Sequence, residues 1–135
     1  MNTNISFGES EERISQLFRL IGQPTRVQIL LELGRGEACV CHLEAQLGLR
    51  QAAISQHLMA LRDAGLLVTR RDGRFIYYRL ADPSLLDLIR LAARSVGIPG
   101  GSLERPARDE STCECPRCVE VSPCQGEASA DEPAQ

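Results

Sequence analysis

The stretch Glu37–Leu67, EACVCHLEAQLGLRQAAISQHLMALRDAGLL, decides how the chain is read. Leu43 and Leu47 precede Gly48 at helical spacing, and Ile54, Leu58 and Leu61 follow it at the same period. This predicts a helix over 39–47, a turn at Gly48-Leu49-Arg50, and a second helix over 51–64 closed by Gly65. The second helix carries Gln51, Ala52, Ser55 and Gln56 on its outer side, small or polar residues that suit a helix entering a major groove. A Gln can hydrogen-bond two edge atoms of adenine, and a Ser can serve several bases. Arg50 stands just ahead, placed for a phosphate.

Working outward, residues 66–71 and 74–80 alternate like strands about Asp72-Gly73, a dipeptide that favours a tight hairpin. Arg70, Arg71 and Arg74 cluster there, as a loop lying along a phosphate backbone requires. Upstream, Ile14, Leu17, Phe18 and Ile21 mark a helix from Glu11 that Ser10 can cap. Gly22-Gln23-Pro24 interrupts it, and residues 25–33 form the next helix. Downstream, Asp82-Pro83 opens a last helix with a broad apolar side from Leu85 to Val96. A basic helical hairpin alone is more readily a solvated face. Helix, turn, polar helix and Arg-tipped hairpin in this order specify a winged helix-turn-helix, mainly α with a small β-hairpin wing. The expected organisation is a flexible N-terminus (1–10), the winged domain (11–97), and an acidic, Cys-rich tail (98–135) lacking periodicity and expected to be disordered.

The net charge of −3 over 135 residues hides a division. Residues 50–79 hold six arginines against Asp63 and Asp72, whereas 97–135 hold three arginines against eight acids. Local positive charge, not the total, governs an encounter with nucleic acid. No apolar run approaches the ~18 residues of a membrane span, and residues 1–10 lack the basic start and apolar middle of a secretory signal. A cytoplasmic protein with no membrane partner is expected. Six cysteines in that reducing compartment point to metal or redox chemistry, not structural disulfides. They fall as Cys39 and Cys41, then Cys113, Cys115, Cys118 and Cys124. Neither a nucleophile elbow nor a phosphate-binding Gly loop occurs, and His42 and His57 are the only imidazoles. An enzyme is not expected.

Ile54-Ser55-Gln56-His57-Leu58 and Leu61-Arg62-Asp63-Ala64-Gly65-Leu66-Leu67 resemble the recognition helix of the ArsR/SmtB family of metal-sensing repressors. Pro24-Thr25-Arg26, Ile29-Leu30, Gly73, Tyr77-Tyr78 and Leu80 extend the resemblance over residues 12–96. It implies a homodimer that represses by binding operator double-stranded DNA and leaves it when an inducer binds. It also implies a dimer interface from the first and last helices, here Leu17, Leu85, Leu88, Ile89 and Ala92. Glu37-Ala38-Cys39-Val40-Cys41-His42-Leu43 resembles the inducer box of arsenic- and cadmium-sensing members. The implied inducer is a thiolate-bound metal(loid), As(III) or Sb(III) first, with Cd(II), Pb(II) and Zn(II) also compatible with thiolates. The chain departs from those patterns: Glu44 stands where the arsenic pattern has a third cysteine, and residues 1–12 carry none. The zinc site of other members, on the last helix, is also missing: Asp82-Pro83-Ser84 lacks the Asp-x-His pair.

Two residues apart on a regular helix, Cys39 and Cys41 would point about 200° from each other. Joint ligation would then require the helix start to unwind. The tail repeats a C-x-C-x2-C spacing at Cys113, Cys115 and Cys118, followed by Cys124. These thiols could complete the Cys39/Cys41 site from either subunit, form a separate zinc-like site, or have no regulatory use. His42 is a weaker ligand candidate, expected at the surface, and His57, which could contact DNA or a metal, is expected to be a packing and hydrogen-bonding residue of the recognition helix. The alternative function is a thiol redox-sensing repressor of the same fold, because a C-x-C disulfide closes a small, strained and labile ring.

Overall fold

The computed structural model describes residues 6–104. Helix α1 spans Phe7–Ile21 and α2 spans Pro24–Leu33. A two-residue strand β1, Ala38–Cys39, leads directly into α3, Val40–Leu47, and then α4, Gln51–Asp63. Strands β2, Leu67–Asp72, and β3, Phe75–Leu80, form the hairpin, and α5 covers Ser84–Ser95. The sheet is antiparallel throughout, in the order β1-β3-β2. The winged helix-turn-helix expectation is met.

The apolar periodicities converge on one core. Ile29 and Leu30 of α2, Leu43 of α3, and Ile54, Leu58 and Leu61 of α4 are wholly buried and pack together with Leu67 and Leu80 of the hairpin. Burying a side chain of this size is worth about 1.5–3 kcal/mol, so α4 is held by its inner face while Gln51, Ala52 and Gln56 remain exposed. The helix ends with paired caps: Leu66 N–H donates to Leu61 O at 3.0 Å and Gly65 N–H to Arg62 O at 2.9 Å. Ala81 N–H then bonds Leu66 O at 2.9 Å, fastening the exit of α4 to the end of the wing.

Several boundaries differ from the sequence expectation. Helix α1 begins at Phe7 with Ser6 at its cap, so Ser10 lies inside the first turns and not ahead of them. Residues 7–10 are thus helical and not part of a loose N-terminus. Strand β2 continues to Asp72, which pairs with Phe75, leaving Gly73-Arg74 as the two-residue turn. Positive φ occurs there only at Gly73 (61°), the pattern of a type II′ hairpin turn. Beyond residue 97, a 3-10 turn at Gly100–Leu103 packs Leu103 against the core. The four tail cysteines lie outside the described residues.

Between α3 and α4, Gly48 adopts φ 66° and ψ 29°, and its N–H closes α3 on Glu44 O at 2.8 Å. No atom lies within 4 Å of where a Cβ would stand. Gly48→Ala therefore adds conformational cost alone. It should destabilise the fold by about 1–2 kcal/mol, read as a lower urea midpoint with an unchanged m-value.

Candidate DNA-binding surface and thiol site

Arg50 occupies the cap of α4 with extended backbone (φ −70°, ψ 146°) and no side-chain cap. The helix thus opens with its first amides and its positive dipole end beside an exposed guanidinium, an arrangement that attracts phosphate. Gln51, Ala52 and Gln56 are exposed and Ser55 half-buried, all on the side of α4 away from the core. On the wing, Arg71, Arg74 and Arg79 are exposed, with the Arg74 guanidinium 5.2 Å from the Phe75 ring centre.

Arg70 is differently engaged. Its Nε and Nη2 donate to the two Glu37 carboxylate oxygens at 3.1 and 2.6 Å, and its guanidinium lies 4.6 Å from the Tyr77 ring centre. The carboxylate hydrogen bond is the main cause that raises the Arg70 pKa above its ordinary value.

Cys39 is not helical. Its φ of −88° and ψ of 171° are extended, and it pairs with Tyr77 of β3 while Ala38 pairs with Tyr78. The helical opposition expected for Cys39 and Cys41 therefore does not arise: their Sγ atoms lie 2.8 Å apart. The physical reason is that the β1–β3 ladder claims the Cys39 backbone, so α3 starts one residue later. No unwinding is needed to bring the thiols together. Two thiolates on one tetrahedral ion, each about 2.3 Å from it, stand about 3.8 Å apart, so ligation needs a side-chain opening of about 1 Å. Such a soft pair suits As(III), Sb(III), Cd(II), Pb(II) or Zn(II). Among the described residues no group of three His, Cys, Asp or Glu side chains is arranged to hold a metal. A third sulfur ligand would have to come from outside them.

Cys39 is buried and Cys41 half-exposed at an open groove of about 410 Å³. Gln51 and Ser55 of α4 and Arg74, Phe75, Ile76 and Tyr78 of the wing line the same groove. The structure thus brings the two thiols together with both elements expected to meet DNA.

His42 is not at the surface. It is 1% exposed, with Nε2 3.6 Å from Glu32 Oε1, and Glu32, itself 1% exposed, also meets Arg35 at 3.4 Å. This cluster joins the C-terminal end of α2 to the start of α3 directly behind the thiols. His57 is a packing and hydrogen-bonding residue: Arg26 Nε donates to its Nδ1 at 3.1 Å, while Arg26 Nη1 reaches Leu20 O at 2.9 Å. Of the residues expected at a dimer face, Leu85 and Ile89 are buried in the protomer core, Leu17 and Leu88 are half-buried, and Ala92 is exposed. The exposed large apolar side chains on those helices are Phe7, Ile14, Phe18 and Leu91.

A fold of this kind, with a polar helix and basic wing on one side and a dithiol between them, defines a winged helix-turn-helix transcription regulator. Residues 23–69 match the model of the bacterial regulatory protein, arsR family. Over 65 residues the chain is 46% identical to an arsenic resistance transcriptional regulator of Pseudomonas putida, covering 47% of this chain and 51% of that one. Over 67 residues it is 45% identical to the arsenical resistance operon repressor of Escherichia coli, covering 49% and 57%. The chain thus spans little more than half the length of these curated relatives. The crystal structure of the AntR antimony-specific transcriptional repressor superposes with a TM-score of 0.59 at 32% identity, covering 70% of this chain and 87% of that one. The chain belongs to the ArsR family, whose members are DNA-binding transcriptional regulators and not enzymes. Among the described residues no helix is long and apolar enough to cross a membrane.

Burial, and then the Arg26 charge, lower the His57 pKa from 6.5. The unfolded chain therefore takes up this proton first as pH falls. Stability should be at its full value above pH 6.5 and decline as pH drops toward the lowered folded-state pKa. Urea titrations from about pH 7 to pH 5 should show that decline, and His57→Asn, which keeps an acceptor for Arg26 but does not titrate, should flatten it.

Proposed function

We propose that this chain is a metal(loid)-responsive repressor that holds operator DNA as a cytoplasmic homodimer and releases it when a thiophilic inducer is captured by Cys39 and Cys41. The observation that carries this reading is the 2.8 Å thiol pair in a groove shared with Gln51, Ser55 and Arg74. Arg50, Gln51, Ala52, Ser55 and Gln56 meet the major groove, and Arg71 and Arg74 follow the backbone alongside it. Ile14, Phe18 and Leu91, beside Leu17, Leu88 and Ala92, offer the apolar face for the second subunit. As(III) or Sb(III) is the favoured inducer, consistent with the names of the arsenic- and antimony-responsive relatives, and Cd(II), Pb(II) or Zn(II) is compatible with the same donors. A trivalent soft ion takes two thiolates here and a third from Cys113, Cys115, Cys118 or Cys124. An inducer that favours the conformation with low DNA affinity must, by linkage, bind more weakly when DNA is present.

The same thiol proximity favours one second reading. Loss of two electrons and two protons to a peroxide would join Cys39 and Cys41, making the pair a redox switch. One experiment separates the two readings. A duplex selected by the reduced protein from a random-sequence pool is bound, then titrated with arsenite, Cd(II) or peroxide. Release by arsenite at equimolar dose, lost in Cys39→Ser and Cys41→Ser, is the expected result, with thiolate-to-metal absorbance appearing in parallel. Release by peroxide alone would favour the redox switch, and undiminished arsenite release from the double serine variant would sink the thiol site.

A further inference from the structure

Glu37 lies two residues before Cys39, on the approach to β1, whereas Arg70 lies on β2, the opposite edge of the sheet. Between them runs β3, and Tyr77 is paired with Cys39 on one side and with Arg70 on the other. The Glu37–Arg70 bidentate pair therefore bridges the sheet across its central strand, with the guanidinium seated over the Tyr77 ring. Tyr77 is 1% exposed, so its ring is a fixed platform, while the Arg70 side chain is half-exposed at 49%. Arg is suited to this work because its planar fork makes two parallel hydrogen bonds and stacks on an aromatic face at once. The arrangement fixes the guanidinium against a carboxylate, which is also how it would meet a phosphate.

The geometry points to Glu37 and Arg70 as positioning residues that link the thiol segment to the wing, with Arg70 acting as an internal strut and Glu37 standing in the place a DNA phosphate would take. This inference rests on the proposed function, in which Cys39 shifts when an inducer is captured. A shift of Cys39 moves its neighbours Ala38 and Glu37, and the carboxylate draws Arg70, and with it β2, in the same motion. Arg71 and Arg74, exposed next to it, then change their distance from the backbone they follow. The sequence suggests Arg70 as a phosphate contact equal to Arg71 and Arg74. The strut makes a different demand, and the two roles separate experimentally.

A lost phosphate contact lowers the salt slope of DNA binding by about 1. A lost strut leaves that slope in place and changes the ratio of affinities without and with inducer. The test uses the full chain, the duplex selected from a random pool, arsenite as the probe, and the variants Glu37→Gln, Arg70→Gln and their combination. Both single variants are expected to shrink the arsenite-driven loss of affinity by about 2- to 30-fold, and the double variant no further. Arg70→Gln should keep the wild-type salt slope. Glu37→Gln should steepen it by about 1, as the released guanidinium turns to a phosphate. An Arg70→Gln slope lower by about 1 with unchanged arsenite coupling would overturn the proposal. A readout without DNA completes the test: the Arg70 Nε resonance should move when arsenite binds the wild-type chain and stay still in Glu37→Gln. A chain that takes up arsenite, shifts that resonance and yet holds no duplex would refute the repressor reading and keep the strut. Arsenite uptake that leaves the resonance unmoved would refute the strut, and failure to take up arsenite, Cd(II), Pb(II) or Zn(II) would refute both.

Discussion

The short ladder between β1 and β3 is the constraint on which the rest of the thiol site depends. It consists of two residue pairs, Ala38 with Tyr78 and Cys39 with Tyr77. A backbone that supplies a sheet ladder cannot also supply a helix, because the same N–H and C=O groups are claimed once. The ladder therefore delays α3 to Val40 and leaves Cys39 extended at its cap. On an extended-to-helical junction the two side chains converge, whereas on a continuous helix they diverge. A two-residue strand thus brings together the sulfurs of two cysteines that a helix would separate. It also makes the wing a neighbour of that pair through hydrogen bonds, not merely through proximity.

The surroundings of α3 are unequal in stiffness. Behind it, Glu32 and His42 are almost wholly buried at the joint with α2, and Arg35 reaches Glu32 from the surface. Ionisable groups so deep must keep their partners, since separating them would leave an uncompensated polar group out of water. That side of the helix resists movement. In front of it, Cys41 is half-exposed at the open groove, and the segment ahead of Cys39 is held by a two-pair ladder and a surface ion pair. Forces applied at the thiols therefore find their compliant direction toward the sheet.

Much of this was legible in the residues. The apolar periods gave each helix its buried face, Gly48 marked the helix-turn-helix bend, and the Asp72-Gly73 signal marked the hairpin within one residue of its true tip. Once Gly73-Arg74 is taken as the turn, the register pairs Arg70 with Tyr77, so the cation–π contact was implicit in the sequence. The role of Glu37 was not. A strand of two residues has no period to detect, and its partner lies 38 residues away, so nothing local announces that Cys39 leaves the helix. His42 was misread for a related reason: its burial follows from Glu32, a charged residue on the inner side of α2, which pattern reading assigns to solvent.

The distribution of stiffness also bears on what a repressor built this way would lose on induction. Helix α4 is anchored by Ile54, Leu58 and Leu61, none of which has any exposure, and an interior so packed does not deform by small steps. The wing is anchored by Leu67, Tyr77 and Leu80, and its outer half from Thr69 to Arg74 is exposed. A displacement starting at Cys39 has a hydrogen-bonded path to the wing, through β3, that does not pass through α4. Along that path the contacts altered would be the proposed ones of arginines to phosphate, which position a protein and carry no base information. Gln51 and Ser55, proposed above to meet the bases, would keep their place on an unmoved helix. Induction through this path would lower affinity for all duplexes in nearly equal proportion, leaving the ranking of sequences intact. A path through α4 would instead scramble that ranking, because it would tilt the residues that read it.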